Sequence, residues 1–262
     1  MNQWSRNRKR LILAIVLFVV FVLIGVPTFF LFYRAPTCFD MKQNGDETGI
    51  DCGGSCQLLC KAESLPLITK GDPRVLPVGN STYAVVALVE NPNSGAEIYR
   101  AGYTLKIYDA VGIIPLKEIS GETYAPNAST FAIFEGPFAI EVGVTPKRVT
   151  LEWQRETLVW QKNVATLPAL RVKENILSKE DSTPRLDVTL ENLSLQKVSN
   201  IDLVALISDA EGNLVAASKT IIESLAPGEA APAVFTWPKP FGVEAVGTKV
   251  IIRVFPDRSF IR

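Results

Sequence analysis

The longest run of consecutive hydrophobic positions lies near the N-terminus. Leu11–Tyr33 reads LILAIVLFVVFVLIGVPTFFLFY, 23 residues without a charged side chain. As an α-helix this segment measures about 34 Å, enough to cross the hydrocarbon core of a bilayer. Because a helix that is apolar on every face has no polar side to present to water, the pattern predicts a transmembrane helix over residues 11–33.

Charges beside this segment predict its orientation. Four basic residues precede it and one follows it, namely Arg6, Arg8, Lys9 and Arg10, then Arg34. By the positive-inside tendency, residues 1–10 form a basic cytoplasmic stub and everything after residue 33 lies outside the membrane. The alternative is a cleaved signal peptide, but the apolar run is longer than an h-region and no A-x-A site follows it. We therefore expect an uncleaved signal anchor.

Beyond residue 61, hydrophobic and polar positions alternate. The apolar members of three such segments are Tyr103, Leu105 and Ile107; Leu186, Val188 and Leu190; and Val250, Ile252 and Val254. A period of two predicts β-strands with one buried face. Turn residues separate these segments at intervals of roughly ten residues, which predicts β-sandwiches of about seven strands.

The exterior also contains an internal repeat. Residues 83–138 align with residues 186–241 at an offset of about 100. The matched motifs are Glu90-Asn91 with Glu191-Asn192, Asp109-Ala110-x-Gly112 with Asp209-Ala210-x-Gly212, and Pro137-Phe138 with Pro240-Phe241. We therefore expect two copies of one domain, at residues 62–165 and 166–262. The short apolar connection, residues 158–177, predicts that the copies pack end to end as a semi-rigid rod.

All four cysteines lie in residues 34–61, just after the predicted helix. They are Cys38, Cys52, Cys56 and Cys60. Their C-x13-C-x3-C-x3-C spacing does not fit the C-x2-C knuckles of zinc sites, and an extracytoplasmic location favours disulfides. Four cysteines allow three pairings, and the sequence selects none of them. We expect two disulfides, with a metal–thiolate site as the alternative.

Side chains that offer oxygen ligands are dense between these cysteines. They are Asp40, Asn44, Asp46, Glu47 and Asp51, and several glycines separate them. Carboxylate and amide oxygens on a glycine-bent loop suit Ca²⁺, the one cofactor that the sequence suggests. The alternative is that Asn, Asp and Gly form turns in this segment without an ion.

Two of these motifs resemble known groups. The string C-x-D-x3-N-G-D-E-T-G-x-D-C-G-G-x-C from Cys38 to Cys56 resembles a short cysteine motif of secreted and surface-attached bacterial proteins. The segment Val89-Glu90-Asn91-Pro92-Asn93 with the following strand and Gly112 resembles type-2 late-embryogenesis-abundant (WHy) domains, and the second copy is similar to the FxLYD and CARDB groups. These resemblances imply surface exposure, a small disulfide knot and immunoglobulin-like or fibronectin-like sandwiches, with structural or binding roles and no attached reaction.

The amino-acid composition excludes several kinds of catalytic site. The chain has 27 Lys+Arg, 27 Asp+Glu and no histidine, which excludes His-dependent triads and His-liganded zinc. Residues 1–34 carry five basic and no acidic residues, so the remainder has 22 basic against 27 acidic residues and a net charge of −5. This balance argues against a nucleic-acid partner. No P-loop or dinucleotide-binding motif occurs. We therefore predict a protein that is not an enzyme and has no catalytic residues.

Two further sets of residues are candidates for binding or modification. Asn80, Asn127 and Asn192 stand in N-x-S/T sequons and could accept glycan in an exported chain. Trp153, Trp160 and Trp237 could form a sugar-binding platform, but aromatic side chains are so common in cores that packing is the favoured interpretation.

The sequence thus predicts a mainly β, single-pass membrane protein with an N-terminal transmembrane helix and two tandem immunoglobulin-like or fibronectin-like sandwiches. We expect it to act as a structural or protein-interaction module of the cell envelope. Its expected partners are the lipid bilayer, through residues 11–33, and other envelope or surface proteins. An accessory subunit of a secretion or pilus-like assembly is the alternative, and an extracytoplasmic enzyme is a remote one.

Overall fold

The computed structural model describes residues 3–163 and 166–256. Residues 1–2, 164–165 and 257–262, which the sequence analysis assigns to the stub and to the ends of the two sandwiches, lie outside the described residues. Contacts within the chain group it into two compact units, residues 1–56 and 57–262. Most of the described secondary structure is β, and all the strands lie in the second unit.

The first unit begins with an uninterrupted helical segment. Helix α1 (Gln3–Val20) continues through a π-helical turn (Phe21–Gly25) into helix α2 (Val26–Phe32). The wider π turn ends two residues before Pro27, whose ring would clash with the carbonyl group four residues earlier in a regular α-helix. Among the described residues, one helical stretch, Arg6–Phe32, is long and apolar enough to cross a membrane, and it is exposed along its length. The predicted N-terminal apolar helix is therefore confirmed.

Fourteen strands and two short 3-10 helices, Lys61–Glu63 and Arg155–Thr157, make up the described part of the second unit. In chain order the strands are β1 (Ile68–Thr69), β2 (Arg74–Gly79), β3 (Thr82–Asn91), β4 (Ala96–Tyr108), β5 (Lys117–Ala125), β6 (Ser129–Ala139), β7 (Arg148–Trp153), β8 (Gln161–Lys162), β9 (Leu170–Ser178), β10 (Arg185–Asn192), β11 (Val198–Ser208), β12 (Leu214–Leu225), β13 (Ala230–Thr236) and β14 (Gly247–Val254).

Antiparallel pairing arranges these strands in four sheets. In sheet 1, β3 pairs with β6 along one edge and with β1 and β2 along the other. In sheet 2, β4 lies between β5 and β7, and β8 pairs with its first residues. Sheet 3 has the order β9-β10-β13, and sheet 4 has the order β12-β11-β14. Apart from β1 and β8, sheets 3 and 4 therefore repeat the pairing order of sheets 1 and 2.

Each pair of sheets encloses a hydrophobic core, because alternate residues of the facing strands point inward. The first core lies between sheets 1 and 2 and includes Val85 and Leu105, each 0% exposed. The second lies between sheets 3 and 4 and includes Leu186 and Leu203, also 0% exposed. The alternating segments predicted from the sequence are thus strands whose apolar residues face a core.

A third apolar cluster joins the two halves of this unit and shows that the expected end-to-end rod is wrong. Its buried members come from sheets 1 and 4: Leu76, Val86, Ala132, Val204, Leu206, Ala217 and Ile251. In β3, Val86 and Leu88 contact this cluster while Val85 and Ala87 contact the first core. Sheet 1 is therefore covered on both faces. The halves pack face to face because the outer faces of sheets 1 and 4 are apolar.

Candidate functional site

Disulfides close the cysteine-rich segment. Cys38 pairs with Cys56, and their Cα atoms are 5.6 Å apart. Cys52 and Cys60 are also disulfide-bonded, so two disulfides form among the four cysteines. The prediction of two disulfides is confirmed. Because a disulfide sulfur is not a thiolate, the metal–thiolate alternative does not apply to this oxidised state.

Two of the predicted calcium ligands bind the backbone of the loop. The Asp51 carboxylate accepts hydrogen bonds from the N–H groups of Asp40 and Met41, each at 3.0 Å. Asp40 accepts a hydrogen bond from the Lys42 N–H at 3.0 Å and another from the Asn44 side chain at 2.9 Å. The bond from Asn44 is the main reason why the pKa of Asp40 lies below its usual range, so this carboxylate stays ionised. Both aspartates act as turn-stabilising acceptors.

The remaining predicted ligands are also engaged in the loop. Asp46 accepts a hydrogen bond from the Ser55 hydroxyl at 2.8 Å, and Glu47 accepts one from the Asn44 N–H at 3.2 Å. The other Glu47 oxygen lies 3.3 Å from the disulfide sulfur of Cys56. The structure thus brings all five predicted oxygen ligands into one loop. Each of the four carboxylates accepts at least one N–H or O–H hydrogen bond there, whereas the Asn44 Oδ1 atom is buried and accepts none. A calcium ion, which takes six to eight oxygen ligands, would compete with these donors.

Backbone geometry accounts for the glycines of the loop. Gly54 has a φ of +51°, and a Cβ atom there would lie 2.0 Å from the carbonyl oxygen of Asp46. Gly45 has a similar φ of +61° but open space, since the nearest atom would be Pro36 Cβ at 3.5 Å. Gly54 is therefore required by both conformation and contact, whereas Gly45 is required by conformation alone.

The three sequon asparagines differ in accessibility. Asn192 is 0% exposed and Asn127 is 6% exposed, whereas Asn80 is at the surface. The Asn127 side chain donates a hydrogen bond to the Asn163 carbonyl at 3.1 Å. Of the three sequon asparagines, only Asn80 therefore has an exposed side chain in the folded structure. Its Oδ1 accepts a hydrogen bond from Lys239.

Asn192 and Asn91 have the same structural role in the two halves. The Asn91 side chain donates hydrogen bonds to the carbonyls of Ala96 and Pro126, each at 2.8 Å, and accepts one from the Asn93 N–H. The Asn192 side chain donates to the carbonyls of Gln196, Leu225 and Ala226 and accepts one from the Ser194 N–H. Both asparagines end a strand and hold the following turn.

A charged cluster that the sequence analysis did not identify lies between the halves. Arg253 and Asp202 on sheet 4 are each only 8% exposed at their side chains and lie 3.6 Å apart. Lys219 contacts the same Asp202 oxygen at 2.6 Å. The Arg253 guanidinium also donates to the Thr123 hydroxyl at 2.6 Å and to the Tyr124 carbonyl at 3.3 Å, both on β5. Arg253 thus links sheet 4 to a strand of the first half. Burial is the main reason why its pKa is lowered.

A buried carboxylate and two phenols form a second polar group on β4 and β5. Glu97 is 1% exposed and accepts a hydrogen bond from the Tyr124 hydroxyl at 2.5 Å. Burial, reinforced by a hydrogen bond to Glu97, raises the pKa of Tyr99 to about 12, and the same causes raise the pKa of Tyr124. These phenols therefore stay protonated, and the group acts as a structural hydrogen-bonded cluster.

The three tryptophans considered for a sugar platform pack in or against the two cores. Trp160 and Trp237 are 6% and 5% exposed, and the Trp237 indole donates a hydrogen bond to the Ala217 carbonyl at 3.2 Å. Trp153 packs against the first core, edge-on to Tyr103. Trp160 and Trp237 therefore present no open ring face, as a sugar platform requires, and the contacts of Trp153 with the first core also favour the core interpretation.

Comparisons with known proteins do not assign the chain to a family. No protein-family model matches it, and no curated protein matches it significantly. Among solved structures, it is similar to red sea bream transglutaminase at 9% identity and a TM-score of 0.22, covering 72% of this chain and 30% of the transglutaminase. A Bacteroides uniformis beta-glucuronidase aligns at 13% identity and a TM-score of 0.21, covering 68% of this chain and 26% of the glucuronidase. The chain thus spans less than a third of the length of either enzyme.

Proposed function

We propose that this protein is a single-pass membrane protein whose extracytoplasmic part is a non-catalytic structural or protein-interaction module of the cell envelope. The observation that carries the proposal is the apolar helical stretch Arg6–Phe32, which is exposed and is followed by a disulfide-bonded segment. An exposed apolar helix of this length requires a bilayer, and stable disulfides require an oxidising compartment.

The topology can be tested with two introduced cysteines. Asn7→Cys lies on the basic side of the helix, and Ser182→Cys lies at the surface of the second unit. A membrane-impermeant maleimide should label Ser182→Cys in intact cells and Asn7→Cys only after lysis. The opposite pattern would overturn the extracytoplasmic placement of the second unit, and a mature N-terminus at or near Cys38 would overturn the membrane-anchored assignment.

The exterior comprises two diverged copies of one immunoglobulin-like domain in this proposal. The supporting observations are the repeated pairing order of sheets 1 and 2 in sheets 3 and 4 and the matching roles of Asn91 and Asn192. The resemblance to WHy, FxLYD and CARDB domains belongs to the same proposal. Sandwiches of this kind bind other proteins through end loops and sheet edges, and they need no active site to do so.

The cysteine-rich loop has a structural role in this proposal. Its carboxylates accept hydrogen bonds from the loop itself, which favours turn formation over calcium binding. Isothermal titration of the oxidised protein with CaCl2, with MgCl2 as the control, tests this choice. We expect no saturable heat that is specific to calcium, and a calcium-specific stabilisation against unfolding would restore the calcium hypothesis.

Crosslinking on intact cells tests the interaction role. Recovery of a defined set of neighbouring envelope proteins is the expected result, and incorporation into one stoichiometric membrane complex would favour the accessory-subunit alternative. Turnover of a substrate that is abolished by a single polar substitution would contradict the non-catalytic assignment.

A further inference from the structure

One hairpin of the first half exposes several aliphatic side chains. The connection between β4 and β5, residues 109–116, carries Val111, Ile113 and Ile114, which are 89%, 91% and 82% exposed. Val142, in the loop between β6 and β7, is 85% exposed at the same end of the half. Isolated exposed aliphatic residues are ordinary, but three within four positions of one loop form a patch, and such patches mark interaction sites.

The second half shows that the fold does not require this patch. The corresponding connection, between β11 and β12, is Asp209-Ala210-Glu211-Gly212-Asn213, with no large apolar residue. In both hairpins the aspartate side chain accepts backbone hydrogen bonds, from Val111 in the first and from Asn213 in the second. The same turn chemistry thus supports a polar loop in one half and a longer apolar loop in the other.

The apolar hairpin is held in place by its own contacts. Arg148 donates a hydrogen bond to the Gly112 carbonyl at 3.2 Å and lies over the Tyr108 ring at 4.3 Å. The Leu116 N–H bonds to the Ile107 carbonyl at 2.7 Å, which closes the base of the hairpin. A loop that is already ordered loses little conformational entropy when it binds. Most of the free energy gained by burying its aliphatic side chains can therefore contribute to binding affinity.

The hairpin lies far from the point where the chain enters this unit. Gln57 and Leu59 bond to Lys162 and Trp160 beside the first residues of β4, whereas the hairpin follows its last residue. At about 3.3 Å per residue, the 13 residues of β4 separate the two ends by roughly 40 Å. The hairpin is therefore a projecting tip on the end opposite to the chain entry.

We propose that this hairpin inserts into an apolar pocket of another envelope or surface protein. The assignment rests on the proposed interaction function and locates its contact. A bilayer is disfavoured because the loop has no aromatic residue and is bordered by Asp109, Glu118 and Glu141 as well as by basic residues. A symmetric contact between the hairpins of two copies is disfavoured because two projecting tips cannot enclose each other, and a second copy that receives the hairpin elsewhere is distinguished by the crosslinking test.

Site-specific photocrosslinking of the full-length protein in its own membranes tests the proposal. A photoreactive amino acid replaces Ile113, and the matched control replaces Glu211 in the corresponding hairpin of the second half. We expect the first probe to give one discrete adduct with a protein other than this chain, and the second to give none. An adduct with lipid, an adduct with a second copy, equal adducts at both positions, or no adduct at position 113 would each overturn the proposal.

Binding measurements with the protein identified in the adduct complete the test. Replacing residues 111–115 by Glu-Gly-Asn, the sequence of residues 211–213, should weaken binding at least tenfold and leave the melting temperature of the chain unchanged. Unchanged affinity would overturn the proposal. If the topology labelling and the neighbour map of intact cells are as expected while these tests fail, the interaction function stands and the hairpin is not its contact.

Discussion

Replacing Arg253 with methionine measures what the charged cluster contributes to the junction between the halves. Methionine keeps much of the buried aliphatic volume and removes the charge and all the donors. The change deletes the hydrogen bonds to Thr123 and Tyr124 and the contact with Asp202. It also removes the contacts of the guanidinium with the aromatic rings of Phe131, at 5.3 Å, and Phe255, at 4.4 Å.

The expected decrease in the free energy of unfolding depends on which polar groups lose a partner in Arg253→Met. Removing one member of a buried ion pair costs roughly 3–5 kcal/mol when the other charge is stranded. Asp202 is not stranded, since Lys219 remains 2.6 Å away, but the Thr123 hydroxyl and the Tyr124 carbonyl each lose a donor. We therefore expect the free energy of unfolding to fall by about 2–4 kcal/mol. Arg185→Met is the matched control because its pair with Asp187 is 43% and 45% exposed, so solvent screening should make its cost much smaller than that of Arg253→Met.

Guanidinium unfolding of the full chain in detergent, followed by tryptophan fluorescence, is the appropriate assay. Trp160 lies in the first core and Trp237 in the second, so single-tryptophan variants follow the two halves separately. When Arg253 is retained, the signals of the two single-tryptophan variants should change at the same denaturant concentration, because the halves share a buried face. If Arg253→Met and Arg185→Met differ by less than about 0.5 kcal/mol, the argument that burial makes Arg253 important is refuted.

Three further predictions concern the loop, the strand ends and alkaline stability. Gly54→Ala should prevent correct oxidation of the cysteine-rich segment, because a Cβ atom there would lie 2.0 Å from the Asp46 carbonyl oxygen. Gly45→Ala is the control and should lower the free energy of unfolding by only about 1 kcal/mol. Equal yields of the native disulfides in the two variants, measured by peptide mapping, would contradict this prediction. Asn192→Asp should lower the free energy of unfolding by about 3 kcal/mol, because the side chain no longer donates hydrogen bonds to the three carbonyls. A decrease of less than about 1 kcal/mol in urea titration would be incompatible with the role of Asn192 in holding the turn. The pKa of Tyr99 is about 12 in the folded protein and ordinarily about 10, so the protonated phenol stabilises the fold fully below pH 10 and this stabilisation is lost as the pH rises to about 12. In urea unfolding, Tyr99→Phe should therefore lose less stability at alkaline pH than the unsubstituted chain. An identical loss of stability in the two proteins would argue against this role of Tyr99.

Sequence periodicity was sufficient to predict the strands that have one buried face. The alternation of Leu186, Val188 and Leu190 with polar residues describes β10, whose apolar side chains are at most 2% exposed. The junction between the halves left a different signal. Residues 84–89 of β3 read AVVALV, and β11 contains LVALI, both without alternation. A continuous apolar run of strand length indicates a sheet buried on both faces, which the end-to-end prediction overlooked.

The charged cluster and the loop contacts could not be predicted in the same way. Asp202 and Arg253 are about 50 positions apart in the sequence, and their proximity depends on the pairing of β11 with β14. In the cysteine-rich loop, the composition predicted both a calcium site and tight turns, because the same residues serve either purpose. Only the directions of the donors around Asp51 and Asp46 distinguish the two.

The junction also explains why the two halves have so little sequence identity despite their common pairing order. Sheet 1 corresponds to sheet 3 and sheet 2 to sheet 4, yet the contact joins sheet 1 to sheet 4, so corresponding sheets face different surroundings. The outer face of β3 carries Val86 and Leu88, where β10 has Asp187 and Thr189. Likewise, the outer face of β11 carries Val204 and Leu206, and that of β4 carries Thr104 and Lys106. The outer faces of β3 and β11 are therefore apolar where they meet the other half, and the corresponding faces of β10 and β4 carry polar residues.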